Sequence, residues 1–144
     1  MSTRQTAYTT SGTETKALGK KFAGVLCGGD VVGLFGDLGA GKTTFVKGLA
    51  QGFGVRRVVK SPSFTLMNIH QTKHRGIKQL VHIDCYRLTN PNQLEEIGAL
   101  EYFGRKDIVV IVEWAEKVKR LLPKKFLKVY FNIKKGDERE VRFG

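Results

Sequence analysis

An α/β domain with a mostly parallel central sheet is the fold class that the sequence predicts, and three observations carry the prediction. Residues 31–35 (Val-Val-Gly-Leu-Phe) and 108–112 (Ile-Val-Val-Ile-Val) are continuous apolar runs, the pattern of strands buried on both faces. Segments with apolar residues at helical spacing alternate with such runs, which favours helices on both faces of the sheet. Hairpin patterns over 64–84 and 126–143 add antiparallel strands to it. The 144 residues are read as one domain spanning 1–144, enough to bury a real core.

Along the chain, Thr6, Tyr8, Thr9 and Thr10 are β-branched or aromatic and predict an edge strand over 4–10. Ser11-Gly12-Thr13-Glu14 has the spacing of a capping box. Ala17, Leu18, Phe22, Val25 and Leu26 continue it as a helix that Gly28-Gly29 ends. After strand 31–35 comes a glycine-rich turn, then a helix with Phe45, Val46, Leu49 and Phe53 on one side. Gly52 and Gly54 stop that helix, and 55–59 predicts a short strand. Pro62 biases Ser61 away from helix, so 61–66 is a loop running into a strand over 64–69. A basic tip at 71–76 turns it back into a strand over 79–84. Asn90-Pro91-Asn92 starts a helix through Leu94 and Ile97, interrupted at Gly98. A short helix through Val118, Leu121 and Leu122 stops at Pro123, and 126–133 and 138–143 pair around Lys135-Gly136-Asp137.

The glycine-rich turn carries the most specific chemistry. Gly36-Asp37-Leu38-Gly39-Ala40-Gly41-Lys42-Thr43-Thr44 matches the phosphate-binding P-loop, G-x-x-x-x-G-K-[ST], and sits between a strand and a helix as that motif requires. Glycines without a Cβ let backbone N–H groups approach phosphate oxygens. Lys42 reaches the β- and γ-phosphates, and the Thr43 hydroxyl is a ligand for Mg²⁺. The helix start adds unpaired N–H groups and a positive dipole end.

Such a site needs a carboxylate at the end of a neighbouring strand, and two residues fit. Glu113 follows the most apolar run and is placed on the metal side with Thr43; Asp84 ends the strand at 80–83. For Asp84, contact with the metal shell, orientation of water and organisation of the 61–66 loop stay open. Ser63 and Thr65 are the candidate sensors of a γ-phosphate, with a purely local turn-forming role open for each. His82 is expected on the face of its strand opposite Asp84, as an ordinary hydrogen-bonded histidine. Trp114, the single tryptophan, is open to packing over the site, to a core role or to a partner contact.

Twenty-five Lys and Arg against 13 Asp and Glu give a net charge of +12. From 55 to 79 there are bases and no acid. A surface of this kind attracts polyanions, nucleic acid above all, or simply stays solvated. No run of 18 apolar residues predicts a membrane span, and the first residues lack the apolar stretch of a signal peptide, so a cytoplasmic protein is expected. Cys27 and Cys85 are read as buried free thiols. A nucleoside or small-molecule kinase is the alternative reading, although no arginine-rich lid is present. A regulatory GTPase lacks its Asn-Lys-x-Asp motif here.

The P-loop, Ser61-Pro62-Ser63-Phe64-Thr65-Leu66, His82-Ile83-Asp84-Cys85-Tyr86-Arg87-Leu88, Glu95-Glu96-Ile97-Gly98, Glu101-Tyr102-Phe103 and Val112-Glu113-Trp114 together resemble one family. It is TsaE (YjeE), the ATPase component of bacterial tRNA N6-threonylcarbamoyladenosine synthesis, and the likeness runs from about residue 14 to 123. The resemblance implies weak ATP hydrolysis with Mg²⁺ and partnership with TsaD and TsaB, the basic surface then being open to lying near tRNA or to meeting an acidic protein surface. It also implies catalytic roles for Lys42, Asp84 and Glu113, with Mg²⁺ organised by Thr43 and Glu113. ATP would lie along residues 36–44, with adenine near Thr10, Ser11 and the C-terminal hairpin. Ser63 stands where the family usually has Thr, and Cys85 where it usually has Leu.

Overall fold

The two continuous apolar runs become neighbouring parallel strands at the centre of one sheet, β2 (Val31–Phe35) and β5 (Ile108–Glu113). A computed structural model describes residues 5–62, 65–74 and 76–144. Around that pair stand β1 (Gln5–Thr9), β3 (Met67–His74), β4 (Ile77–Asp84), β6 (Leu127–Ile133) and β7 (Arg139–Phe143). Among the described residues these form a seven-stranded sheet in the order β1-β7-β6-β2-β5-β4-β3.

The sheet is parallel only in part, which corrects the expectation of a mostly parallel one. β6, β2, β5 and β4 run parallel, whereas β3 pairs antiparallel with β4, and β7 with both β6 and β1. Both hairpins are responsible: β3 folds back on β4, and the terminal hairpin lays β7 against β6 and β1. One strand of the terminal hairpin, β6, enters the sheet beside β2, because Gly33 leaves room for the Phe126 ring to lie against β2 just before β6 begins. A Cβ at Gly33 would stand 2.8 Å from that ring.

The two faces are covered differently. One carries the long helices α1 (Gly12–Ala23) and α2 (Lys42–Gly52), over a core that includes Val32, Leu34, Phe45, Leu49, Phe53 and Phe131. The other carries, among the described residues, only the five-residue α3 (Asn92–Glu96) and 3₁₀ turns at Ala99–Tyr102, Ala115–Lys117 and Lys119–Leu121. Those short turns bury Val81, Ile83, Val110 and Val112 with Leu94, Ala115 and Val118. Helices on both faces therefore holds only in that reduced form.

α1 and α2 meet through glycines. A Cβ on Gly48 would lie 1.8 Å from the Lys16 carbonyl oxygen, and one on Gly19 would lie 2.1 Å from that of Phe45. The backbones thus approach far closer than side chains allow, and α1 is set firmly against the helix that begins at the P-loop. α1 starts as its sequence predicts: the Ser11 hydroxyl accepts from Glu14 N–H at 3.1 Å. It ends at Ala23 rather than at Gly28-Gly29, capped by Gly24, so Val25 and Leu26 lie beyond it. Residues 55–59 form an irregular loop, not a strand.

Candidate phosphate-binding site

The glycine-rich turn leaves β2 and enters α2 directly. Gly36 has φ 146° and Gly41 has φ 101°, conformations that a side chain resists. At Gly36 the constraint is also spatial, since a Cβ would fall 2.6 Å from the Phe131 carbonyl oxygen of β6. The loop is held from several sides. Arg139 of β7 donates to the Gly39 carbonyl at 3.0 Å, and Thr15 of α1 packs toward Gly41.

Lys42, the first residue of α2, is 5% exposed and folds back over the loop. Its Nζ donates to the carbonyls of Gly36 and, at 2.9 Å, Asp37, and lies 4.1 Å from the centre of the Trp114 ring. Burial pulls the Lys42 pKa below the ordinary lysine value, while the negative charge of Glu113 pushes back. Trp114 reaches this position through a left-handed backbone turn, φ 58° and ψ 44°, directly after β5. Of the roles open to it, packing against the P-loop lysine and against the core of the second face are both observed, and its ring centre lies 5.1 Å from that of Tyr86.

Thr43 and Glu113 meet. The Thr43 hydroxyl donates to Glu113 Oε1 at 2.9 Å, joining the start of α2 to the end of β5. The other carboxylate oxygen, Oε2, lies 2.5 Å from His82 Nε2. His82 and Asp84 share one face of β4, because residues two apart on a strand point the same way. The expectation that they sit on opposite faces is thereby overturned, although His82 is indeed hydrogen-bonded.

Asp84 ends β4, level with Glu113 on β5. Its Oδ2 accepts from the Ser61 hydroxyl at 2.6 Å and its Oδ1 from Tyr86 N–H at 3.0 Å. Ser61, Pro62, Asp84, Tyr86 and Arg87 line an open pocket there. Ser61 was not assigned a role from the sequence; its signals are its place before Pro62 in a hydroxyl-rich loop and at the head of the Ser-Pro-Ser-Phe-Thr-Leu stretch. The Thr65 hydroxyl donates to the Met67 carbonyl at 3.1 Å, a local turn bond. Ser63 lies outside the described residues. Thr10 donates both its N–H and its hydroxyl to Glu14, at 2.6 and 2.7 Å, so Thr10 and Ser11 both help to cap α1. Cys85 is buried, but Cys27 is exposed, contrary to expectation.

A glycine loop joining a central parallel strand to a helix, with a carboxylate at the end of the adjacent strand, defines a P-loop NTPase-like α/β protein. Comparison with known proteins narrows the class. Residues 9–141 match the family model described as threonylcarbamoyl adenosine biosynthesis protein TsaE. The tRNA threonylcarbamoyladenosine biosynthesis protein TsaE of Bacillus subtilis (strain 168) is 42% identical over 130 residues, 90% of this chain and 78% of the relative. That of Streptomyces coelicolor is 44% identical over 108 residues, 74% and 71% of the two chains. The crystal structure of Bacillus subtilis YdiB superposes with a TM-score of 0.76 at 37% identity, covering 99% of this chain and 86% of the other. The chain belongs to the TsaE family, and so to the proteins involved in tRNA threonylcarbamoyladenosine biosynthesis.

Proposed function

We propose that this chain, acting as one domain in the cytoplasm, binds ATP with Mg²⁺ at residues 36–44. In this reading it hydrolyses ATP slowly to switch or reset a TsaD–TsaB complex that modifies tRNA at position 37. The observation that carries the reading is the Thr43–Glu113 hydrogen bond across 70 residues of sequence. By donating its proton to Glu113, the Thr43 hydroxyl keeps its lone pairs free for a cation. Hydroxyl and carboxylate oxygens are the hard donors that Mg²⁺ takes, usually with waters completing the shell. The residues present therefore fit the metal. When bound, Mg²⁺ would neutralise charge on the β- and γ-phosphates.

The chain's own residues divide the remaining work. Backbone N–H groups of the glycine loop and the first turn of α2 hold the phosphates. Lys42 exchanges the Gly36 and Asp37 carbonyls for phosphate oxygens, a short movement because its head already lies over the loop. Ser61 and Asp84 tie the 61–66 loop to the end of β4, and a contact from Ser63 or Thr65 to the γ-phosphate would order that loop when ATP is bound. Thr10, Ser11 and the β6–β7 hairpin, whose Arg139 already touches the P-loop, flank the side assigned to adenine. The switch is then local: occupancy of the phosphate site changes the surface around residues 61–66 and 84–87 that a partner reads.

An ATPase assay with and without the purified TsaD–TsaB pair and tRNA tests the proposal. Slow turnover alone and faster turnover with the partners is the expected result. An unchanged rate, accompanied by phosphorylation of a small acceptor, would replace it with the kinase reading.

A further inference from the structure

Glu113 is 2% exposed and ends the central strand β5, between β2 and β4 in the sheet. Its carboxylate is gripped from both flanks. Thr43, at the start of the helix that follows β2, donates to Oε1, and His82 of β4 bonds Oε2 at 2.5 Å. The strand register explains the second contact. His82 lies beside Ile111 and Asp84 beside Glu113, so His82 and Glu113 are diagonal neighbours on one face.

His82 has no solvent exposure, and Nε2 makes its one described hydrogen bond. Nδ1 has no partner among the described residues. A carboxylate only accepts, so Nε2 carries the proton and Nδ1 is the bare nitrogen in the neutral ring. A leucine or phenylalanine would fill this position without burying two polar nitrogens. Behind it, across β3–β4 and on the same face, His70 is also buried, and neither of its ring nitrogens has a partner among the described residues. His82 is therefore not anchored from the rear by any described side chain. Its polarity is directed forward, at Glu113.

We infer that His82 is a positioning residue for Glu113. Its Nε2–H fixes one carboxylate oxygen, so that the plane of the group is set and the other oxygen faces the Thr43 hydroxyl. Without that bond the carboxylate rotates, and a buried anion loses one of its two donors. Partners of this kind, one step removed from a metal, typically change metal affinity or activity 10- to 100-fold. The inference rests on the proposed placement of Mg²⁺ at Thr43 and Glu113.

The test compares His82→Phe, His82→Gln, Glu113→Gln and the double variant His82→Phe/Glu113→Gln. His82→Phe keeps a ring and loses the donor; His82→Gln restores an N–H near the position of Nε2. Two readouts are taken after thermal melting has established that each variant folds. One is the affinity for a fluorescent ATP analogue, titrated with Mg²⁺ and again in EDTA. The other is kcat and KM for ATP hydrolysis with the partner pair present. His82→Phe is expected to raise the half-saturating Mg²⁺ about 10-fold and to lower kcat at least as much, with affinity in EDTA and KM little changed. His82→Gln is expected to recover most of both effects, and the double variant to be scarcely worse than Glu113→Gln alone. If His82→Phe leaves the Mg²⁺ requirement and kcat at wild-type values, or His82→Gln is as impaired as His82→Phe, the positioning role is overturned. If Glu113→Gln itself leaves the Mg²⁺ requirement unchanged, the metal placement has failed instead, and the inference with it. Should His82→Phe not fold, His82→Gln against wild type decides: near-wild-type Mg²⁺ dependence supports the donor role, and a 10-fold loss overturns it.

Discussion

The residues of the site owe their properties to burial and to one another. Lys42 is nearly buried against Trp114, and its charge has two backbone carbonyls as acceptors. Lys42→Ala removes the only cation described in contact with the loop backbone from within the turn, and kcat/KM for ATP should fall at least about 100-fold, the scale for deleting one preorganised donor to a developing charge. Steady-state kinetics with the partner pair checks this. Glu113→Ala should lower Mg²⁺-dependent hydrolysis far more than ATP-analogue binding measured in EDTA; an unchanged rate would move the metal role to Asp84. Cys85 gives a pH signature. Burial first, then the nearby charge of Asp84, raises its thiol to about 12. An unfolded thiol ionises near pH 8.5. Above that pH the unfolded chain sheds a proton that the folded chain keeps, so stability falls as pH rises from about 8.5 toward about 12, with no contribution below. Urea melts at about pH 8 and 10 should show wild type losing more stability than Cys85→Ala.

At the scale of elements, the P-loop is held in place by packing on three sides. β6 blocks any side chain at Gly36, β7 reaches Gly39 through Arg139, and α1 presses on α2 through Gly19 and Gly48. The helix seam is open to a direct test. Gly48→Ala raises helix propensity by about 1 kcal/mol, which alone would stabilise α2. Its Cβ meets the Lys16 carbonyl at 1.8 Å, a backbone atom that moves only if α1 moves. Overpacking of this kind costs typically about 1–3 kcal/mol and sometimes more, so a net loss is expected and the melting temperature should drop by several degrees. A rise would mean that the two helices separate freely. Ser61 and Asp84 show another kind of link, in which the Ser61 hydroxyl donates to the Asp84 carboxylate and Asp84 N–H to the Leu66 carbonyl, joining a loop to a strand end by hydrogen bonds.

The whole molecule carries a net charge of +12, and its two faces differ in cover. The charge bears on encounter rather than on the fold. Turnover stimulated by the partner pair and tRNA, at saturating ATP, should decline as salt rises from about 50 to about 200 mM if basic residues contribute to docking, because screening and counterion release both oppose it. Basal turnover should change little over the same range. A flat response of the stimulated rate would leave the basic surface with solubility as its role.

The sequence by itself determined whatever depends on residues a few positions apart. The P-loop, the two buried strands, the cap at Ser11 and the strand-end acids Asp84 and Glu113 were all legible, because a turn, a strand period or a cap is set by neighbours along the chain. The short strand at 55–59 and the long tail of α1 were misread for the same reason: local apolar spacing suggested elements that tertiary packing did not require. What only the tertiary structure decided lies between distant segments. It put β6 inside the sheet next to β2, reduced one layer of helices to short turns, and brought Ser61 to Asp84. It also turned His82, which the sequence reading placed on the face opposite Asp84, onto Glu113 31 residues away. The physical reason is that each of these outcomes depends on which strands become neighbours and in what register. That choice minimises the free energy of the whole packed sheet, and no single stretch of sequence contains it.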